Sequence, residues 1–345
     1  MASTNRTTIA QVAQSAGVSQ ATVSRVINHP ELVSPSTLER VRSVISSLGY
    51  ASLIDQYRDR AKTGGLVVFC LPWLDNPFYS EIVRGARVAA RNAGFDVLVS
   101  WEKPSAIGRE PFLSMLRRCG ARGVITCCPL PASAIEAIEE LVPVVQCCEW
   151  NPDVRAPYVT IDDDASARMA ADHLVSCGCE RLAIICGPNE YKYARDRLDG
   201  FLSTARKAGV LVQPGWILEV PDNSYGLAYT AVYRILDADE APDGIFACSD
   251  TYAAAAVRAA NKLGIPIPGE LMVVGFDNVD LATMVSPSIT TINQPRYRMG
   301  FTACKMLLDM LSGGADGVRS MVLETELVVR ESTASHQPAP AKTSP

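Results

Sequence analysis

Several features that define common protein classes are missing from this 345-residue chain. No apolar run approaches the roughly 18 residues that a membrane-spanning helix needs, which excludes a helical membrane protein. The N-terminal stretch MASTNRTTIAQ is polar and lacks the apolar region of a signal peptide, so we expect a cytoplasmic protein. GxGxxG, phosphate-loop, GxSxG and HExxH motifs are also absent. Their absence excludes the corresponding enzyme classes, and we predict that the chain is not an enzyme.

Cysteine is abundant, but its pattern does not indicate a disulfide framework. The 11 cysteines, which include Cys127–Cys128 and Cys147–Cys148, are an odd number in a long chain without an export signal. We therefore expect buried free thiols. His173, Cys177 and Cys179 are of metal-ligating types, but no second CxxC or HxxxH half accompanies them. Because structural zinc takes four nitrogen or sulfur ligands, we predict neither a metal site nor a cofactor.

Charge is divided unevenly along the chain. Residues 1–64 hold seven Lys and Arg against four Asp and Glu, a charge of +3, which leaves −8 for the remainder of a chain of net charge −5. A small basic segment joined to a larger acidic one favours nucleic-acid contact through the N-terminus alone. A chance imbalance of a few charges is the alternative, and charge by itself does not separate the two.

The first 50 residues carry the pattern of three short helices. Thr8 and Gln11 are spaced as a capping box, and Gly17 is free to end the first helix with a positive φ. Ser19 is placed to cap the second helix and Ser34 the third. The apolar residues at helical spacing are Ile9, Val12, Ala13, Ala16, Val23, Val26, Ile27, Leu38, Val41, Ile45 and Leu48. A helix, a glycine turn, a second helix and a packing helix form the helix-turn-helix arrangement.

The second of these helices carries polar side chains away from its apolar face, namely Ser19, Gln20, Thr22, Ser24, Arg25 and Asn28. Such groups make hydrogen bonds to base edges and phosphates in a major groove. The pattern leaves two interpretations, a DNA-binding headpiece or a generic three-helix bundle with a polar surface.

The run TIAQVAQSAGVSQATVSRVINHPELVSPSTLERVRSVISSLGY, Thr8 to Tyr50, resembles the DNA-binding headpiece of the lac repressor (LacI/GalR) family. The AGVS turn, the ATVSRVIN recognition helix and the closing LGY carry the resemblance. It implies that Gln20, Ala21 and Arg25 read base edges. It also implies a set of phosphate-contacting and flanking DNA-binding residues, namely Thr8, Ser19, Thr22, Ser24, Asn28 and Tyr50.

The segment after Tyr50, ASLIDQYRDRAKTGG, departs from that family. In relatives, paired hinge helices insert a leucine into the minor groove and kink it. An ungapped continuation puts Asp59 where that leucine would lie, and an aspartate cannot intercalate near phosphates. Two interpretations stay open. Either the hinge uses a shifted register, with Leu53, Ile54 or Tyr57 as the inserted residue, or the segment is a flexible charged linker.

From residue 66 onward, short apolar runs alternate with helical patterns, which predicts parallel sheets with helical crossovers. The expected strands are 66–71, 96–100, 123–126, 142–147, 158–161, 182–186, 244–247 and 271–276, with late strands at 289–293 and within 322–330. The expected helices lie near 78–94, 110–119, 132–141, 164–177, 194–208, 224–237 and 250–263. The expected fold class is an all-α helix-turn-helix headpiece followed by an α/β core of two parallel-sheet lobes, similar to periplasmic binding proteins.

Domain boundaries follow from these patterns. We predict a headpiece at 1–50, a hinge or linker at 51–64, a core at 65–332 and a disordered tail at 333–345, which is rich in Pro, Ala, Ser and Thr. Lobe 1 is expected to comprise about 65–161 and 294–322, and lobe 2 about 162–293 and 323–332. No leucine heptad repeat is found near the C-terminus, so a dimer is expected rather than a tetramer.

Polar and aromatic segments follow several expected strands, where open α/β sheets bind ligands. The segments NPFYSEIVRGA, RLDGF, GFDNVDL and TTINQPRYRMG resemble the effector-binding core of the same family. The resemblance implies an effector site that consists of Phe78, Tyr79, Glu149, Trp150, Arg197, Ser249 and Asp277. Arginine with carboxylates suits a hydroxyl-rich ligand, although Asn223 stands where many relatives have a stacking aromatic. Alternatives stay open for three of them: a surface ion pair for Arg197, a turn cap for Asp277 and a core position for Phe78.

The combination of headpiece and sensor predicts a sequence-specific transcriptional regulator, most simply a repressor of a catabolic operon. A homodimer is expected to bind a roughly palindromic double-stranded operator. A sugar or nucleoside bound between the lobes is expected to switch it allosterically. Such a protein acts at the nucleoid and has no membrane partner. The alternatives are a solute-binding protein, or an enzyme acting on sugars or nucleosides, with an added DNA-binding domain.

Overall fold

The computed structural model describes residues 9–19, 22–23, 26, 33–47, 64–102, 109–313 and 319–334. The chain divides into two compact units, Met1–Gly65 and Leu66–Pro345, which correspond to the headpiece and the core. Among the helices of the described residues, none is long and apolar enough to cross a membrane. Each unit has a hydrophobic cluster of its own.

The described part of the headpiece contains helix α1 (Ile9–Ala16) and helix α2 (Pro35–Ser47). Gly17 follows α1 with a φ of 64°, as a glycine helix stop requires. The Ser19 hydroxyl accepts a hydrogen bond from the Thr22 N–H at 3.1 Å, which confirms the predicted cap. The buried cluster confirms the predicted apolar faces and consists of Val12, Ala13, Ala16, Val23, Val26, Val41 and Ile45.

Lobe 1 of the core is built on a parallel sheet that has, within the described residues, the strand order β11-β5-β4-β3-β1-β2. These strands are β1 (Leu66–Cys70), β2 (Asp96–Ser100), β3 (Ala121–Thr126), β4 (Val144–Cys147), β5 (Tyr158–Ile161) and β11 (Met321–Leu323). Its helices are α3 (Phe78–Asn92), α4 (Arg109–Cys119), α5 (Ala132–Glu139) and α11 (Arg296–Leu311). The central strands are buried almost throughout, because helices cover both faces of the sheet.

Lobe 2 has a second sheet of order β12-β10-β9-β8-β6-β7, in which only the edge strand β12 runs antiparallel to its neighbour among the described strands. The strands are β6 (Leu182–Cys186), β7 (Ile217–Glu219), β8 (Gly244–Ala247), β9 (Met272–Asp277), β10 (Thr290–Asn293) and β12 (Glu326–Val328). The helices are α6 (Asp163–Ser176), α7 (Lys192–Ala208), α8 (Tyr225–Leu236), α9 (Asp250–Leu263) and α10 (Leu281–Met284). A short 3-10 turn, Pro214–Trp216, precedes β7.

The predicted strands agree with the structure within a few residues, and four of them coincide at both ends: β2, β5, β6 and β8. The run predicted within 322–330 is two strands, because β11 joins the lobe 1 sheet and β12 the lobe 2 sheet. Three strands and helices were not predicted: β7, α10 and α11. Helix α10 has only four residues. Strand β7 has only three residues, and helix α11 contains Gly300, which reads as a helix breaker when its neighbours are unknown.

The end of the core lies later than predicted. Thr333, assigned to the disordered tail, is 4% exposed, and its hydroxyl lies 2.7 Å from that of Thr290. Ser332 is fully buried and accepts a hydrogen bond from the Thr290 N–H at 2.9 Å. The Ser332 hydroxyl satisfies buried backbone groups of strands β9 and β10, whereas composition alone groups Thr333 with the tail. The remaining tail, 335–345, lies outside the described residues.

Helices α3 and α11 cross where two glycines meet each other's backbone. A Cβ built on Gly300 would overlap the carbonyl oxygen of Ile82, and one built on Gly85 would overlap that of Tyr297. Because the obstacles are backbone atoms, we expect Gly300→Ala to lower the free energy of unfolding by about 3 kcal/mol, the upper end of typical overpacking costs. Urea unfolding of the purified protein measures this change.

Gly226→Ala is the matched control, since a Cβ at Gly226 in α8 meets only the Ser224 hydroxyl at 4.0 Å. Its stability should stay unchanged or rise by roughly 0.5–1 kcal/mol, because alanine favours the helix. Equal unfolding midpoints for wild type and Gly300→Ala would contradict the close crossing.

Candidate functional site

A cavity lies between the two lobes, at the carboxyl ends of the parallel strands. Open α/β sheets bind ligands at this edge. Lobe 1 elements contribute Trp73, Asn76, Phe78, Tyr79, Cys148, Glu149, Ile161 and Met299. Lobe 2 elements contribute Asp163, Tyr193, Arg197, Asn223, Cys248, Ser249, Tyr252, Asp277 and Gln294. The mixture of aromatic and polar walls is typical of a small-molecule site.

The structure brings six of the seven predicted effector residues together in this lining: Phe78, Tyr79, Glu149, Arg197, Ser249 and Asp277. Trp150 lies outside it. Its ring stacks on Tyr158 with centroids 4.3 Å apart, and the Lys192 ammonium lies 5.9 Å from its centroid. Of these two neighbours, Glu149 lines the cavity.

Arg197 extends from α7 into the centre of the site. Its Nε donates to Asp163 Oδ1 at 2.9 Å, and its Nη1 donates to the Cys248 carbonyl at 2.8 Å. The guanidinium carbon lies 3.5 Å from the Phe276 ring centroid. The residue is 5% exposed, so it is not the surface ion pair considered as an alternative. Although burial opposes the charge, the carboxylates of Asp163 and Asp277 raise the pKa of Arg197.

Glu149 connects the two lobes. It follows strand β4 of lobe 1, and its carboxylate accepts hydrogen bonds from the backbone N–H groups of Lys192 at 2.7 Å and Tyr193 at 3.1 Å. Those groups belong to the first turn of α7 in lobe 2, where free N–H donors and the helix dipole favour an anion. Burial raises the pKa of Glu149 to about 7. The contact joins lobe 1 to lobe 2 beside the cavity.

Asp277 ends strand β9 with a left-handed φ of 107°, which turns the chain at the cavity wall. Its Oδ1 accepts a hydrogen bond from Gln294 Nε2 at 2.7 Å. Burial raises its pKa to about 8, against the opposing effect of Arg197. Ser249 caps helix α9 by accepting from the Tyr252 N–H, and its hydroxyl also donates to Asn223 Oδ1 at 3.4 Å. Asn223 therefore contributes an amide to the wall where an aromatic ring was considered.

Aromatic rings form much of the remaining wall. Phe78 and Tyr79 begin helix α3 and contact each other edge to face, with centroids 5.0 Å apart. Phe78 is 7% exposed and lines the cavity, so its core and pocket interpretations both hold. Trp73 stacks on Tyr191 at 4.8 Å. Sequence reasoning missed Trp73, and the signal that was available is its place three residues after strand β1.

Asp163 is a second residue of the cavity wall that was not predicted from the sequence. It starts helix α6 directly after strand β5, is 2% exposed, and binds Arg197 while its second oxygen lies 3.4 Å from Lys192 Nζ. The run IDDDAS contained the signal, since an acidic cluster between a buried strand and a helix marks a cap and a strand end. Asp162 of that run caps α6 by accepting from the Ala165 N–H.

None of the 11 cysteines, all of which lie within the described residues, is in a disulfide, as expected. His173 Nε2 lies 2.8 Å from the Thr333 hydroxyl and 3.7 Å from Cys177 Sγ. Burial lowers the pKa of His173. These contacts link helix α6 to the end of the core, which is a structural role for the histidine.

The predicted DNA-binding residues are only partly within the described region. Ser19 is exposed and Thr22 half-buried, and their hydroxyl oxygens lie 2.9 Å apart. The others lie outside the described residues, as does Asp59: Thr8, Gln20, Ala21, Ser24, Arg25, Asn28 and Tyr50. The headpiece cluster joins α1 and α2 with Val23 and Val26, which lie in the predicted second helix.

A small helical headpiece and a two-lobed core with an interlobe cavity define a ligand-responsive DNA-binding protein. Residues 8–52 match the family described as "Bacterial regulatory proteins, lacI family", and residues 171–333 match the "Periplasmic binding protein-like domain".

Relatives of known class extend this match over nearly the whole chain. The HTH-type transcriptional repressor CytR of Escherichia coli (strain K12) is 32% identical over 94% of this chain and 96% of its own length. The ribose operon repressor of Halalkalibacterium halodurans is 33% identical over 95% and 97%. The solved structure titled "transcriptional regulator CelR-cellobiose complex" is 30% identical, covers 95% of this chain and all of its own, and has a TM-score of 0.69.

The chain belongs to the lacI family of bacterial regulatory proteins. It is a DNA-binding transcriptional regulator with a ligand-binding effector domain, and the predicted fold class is confirmed. The resemblance recognised from the headpiece and core segments is therefore correct.

Proposed function

We propose that this regulator is a repressor of a catabolic operon, released or engaged by a small hydroxyl-rich effector, a sugar or a nucleoside, bound between the lobes. The observation that carries the proposal is the buried Arg197 at the centre of the cavity, with Asp163 and Asp277 beside it. The operator is expected to be a double-stranded palindrome bound by a homodimer at the nucleoid.

The chemistry of the wall supports a hydroxyl-rich ligand. Charged guanidinium and carboxyl groups make strong hydrogen bonds to hydroxyls, and the amides of Asn76, Asn223 and Gln294 add donors and acceptors. The flat faces of Trp73 and Phe78 can cover the apolar side of a sugar or a base. The names of two relatives support a sugar as the effector. One is named a ribose operon repressor, and the other was solved as a cellobiose complex.

The relative position of the two lobes is the property that a bound effector can change. Glu149 of lobe 1 binds the first turn of α7 in lobe 2, and Arg197 extends from the same helix into the cavity. A ligand that contacts both lobes stabilises one relative position over another, and only such differential affinity shifts the equilibrium between states. In this proposal that shift changes the affinity of the headpieces for the operator. The core binds its ligand without converting it, and a bound ligand should be recovered chemically unchanged.

The test is a selection of purified protein against fragments of its own genome at moderate salt, with and without a panel of sugars and nucleosides. Enrichment of a palindrome, changed by one class of compound, is the expected result. An absence of enrichment under every condition would overturn the proposed repressor role. Turnover of the added ligand would instead support an enzyme, and detection of the protein outside the cell would support a solute-binding role.

Arg25→Ala tests the proposed base contact in the recognition helix. Since arginine pairs bidentately with guanine, we expect specific binding to weaken by about 1–3 kcal/mol and base preference to relax at one half-site position. The comparison is the exposed Arg42 of α2, which we propose contacts the DNA backbone. Arg42→Ala should weaken binding equally on operator and random DNA. The same pattern for Arg25→Ala would show that Arg25 contacts phosphate.

A further inference from the structure

Three cysteine thiols form a compact cluster at the edge of the cavity. The Sγ atoms of Cys127, Cys147 and Cys148 all lie within 4.8 Å of one another, and those of Cys147 and Cys148 are 3.8 Å apart. Among the described residues, no other group of three or more His, Cys, Asp or Glu side chains brings its ligand atoms as close together. The function proposed above uses none of these thiols as a donor.

The fold explains why the thiols meet. Strands β3 and β4 are parallel neighbours in register at Thr126 and Gln146, so the residues that follow, Cys127 and Cys147, lie side by side. Consecutive side chains of an extended strand point to opposite faces. Cys148 leaves the extended conformation with a φ of 69°, and this lets its thiol lie next to that of Cys147.

Burial and access both suit a bound ion. Cys127 and Cys147 are fully buried, whereas Cys148 is half-buried and lines the interlobe cavity. None of the three is in a disulfide. The cluster therefore has a protected interior and an entry path through the cavity, which are two of the features expected of a real metal site.

We propose that Cys127, Cys147 and Cys148 bind one soft d¹⁰ cation through their three sulfurs, with Cu(I) as the representative ion. Thiolates select soft ions. At a metal–sulfur distance of about 2.3 Å, three sulfurs in a trigonal arrangement lie roughly 4 Å apart. The observed separations approach that spacing, so closure requires only small side-chain movements. Zinc fits less well, because structural zinc takes four ligands and this cluster offers three.

The chemistry balances without an oxidant. Each thiol that coordinates loses its proton to solvent as its sulfur–metal bond forms, and the ion keeps its oxidation state. Because Cys148 is part of the cavity wall and Glu149 follows it, ion binding and effector binding are expected to influence each other. That consequence rests on the proposed effector site, whereas the metal site itself does not.

The test is an anaerobic titration of the reduced full-length protein with Cu(I) in competition with the chelator bathocuproine disulfonate. Wild type should retain one equivalent, with sulfur-to-copper charge-transfer absorption and a copper X-ray absorption spectrum that shows three sulfur neighbours. Cys127→Ser, Cys147→Ser and Cys148→Ser should each weaken this binding by more than about 100-fold, beyond the effect of losing an outer-shell partner.

Cys186→Ser is the matched control. Cys186 is as buried as the cluster, and its sulfur lies 3.9 Å from that of Cys248, but it belongs to no group of three. It should retain the full equivalent. Circular dichroism checks that each variant folds. If the buried variants Cys127→Ser and Cys147→Ser do not fold, the half-buried Cys148→Ser still tests the proposal. The proposal is overturned if wild type yields its copper to the chelator, or if folded Cys148→Ser binds as wild type does.

Discussion

Replacing Arg197 by alanine is expected to lower the free energy of unfolding by about 3–5 kcal/mol, the usual cost of removing one partner of a buried ion pair. Arg197 is 5% exposed and Asp163 is 2% exposed. Without Arg197, the buried Asp163 carboxylate therefore has too little contact with water to be solvated in its place. Lys192 offsets only part of the loss, because its ammonium is shared with Asp196 at 2.5 Å. Urea unfolding followed by circular dichroism measures the change.

The control is another arginine in another ion pair. Arg181 Nε lies 3.4 Å from Asp243 Oδ2, but its side chain is 49% exposed. Arg181→Ala should cost about 0–1 kcal/mol, because solvent screens an exposed pair. Equal losses for the two variants would contradict the buried network around Arg197.

Arg197→Lys separates charge from geometry. Lysine keeps the positive charge but lacks the planar fork that reaches both Asp163 and the Cys248 carbonyl. We expect a smaller loss of stability than for alanine, together with loss of the effector response on DNA. A folded lysine variant that responds normally would show that the fork makes no necessary contact with the effector.

Much of the core was predictable because burial on both faces leaves a clear mark in the sequence. The strand at Leu182–Cys186 is apolar at every position and buried at every position. Strand ends were predictable for a related reason, since a polar residue directly after such a run must lie at the carboxyl edge of the sheet. Arg197, Ser249 and Asp277 were placed near the ligand site by the family resemblance, and the structure brings them together.

What could not be predicted depends on partners distant in sequence. The glycine in α11 is tolerated because it allows a close helix crossing with α3, which no local pattern records. Thr333 belongs to the core because its hydroxyl lies beside that of Thr290 in strand β10. The cysteine cluster was read as separate buried thiols, since the meeting of Cys127 with Cys147 depends on the pairing of β3 with β4.

Asp277 should make the stability of the core fall as pH rises. Burial raises its folded-state pKa to about 8, whereas an unfolded aspartate titrates near pH ~3.9. Between these values the unfolded chain has lost the proton and the folded chain keeps it. The contribution to stability is therefore complete below about pH 4 and is lost progressively up to about pH 8, at roughly 1.4 kcal/mol per pH unit.

Asp277→Asn cannot lose this proton and keeps an oxygen to accept from Gln294. We therefore expect the variant to gain on wild type steadily from pH 5 to pH 8 in urea unfolding, by on the order of 1 kcal/mol per unit. Asp239→Asn is the control, because it makes the same substitution at an exposed aspartate outside the cavity and so reports the effect of the substitution itself. A difference for Asp277→Asn that is constant over this range would mean that Asp277 is ionised in the folded protein and paired with Arg197. The effector would then meet a fixed anion at this wall of the cavity, rather than a carboxylic acid that can donate a hydrogen bond.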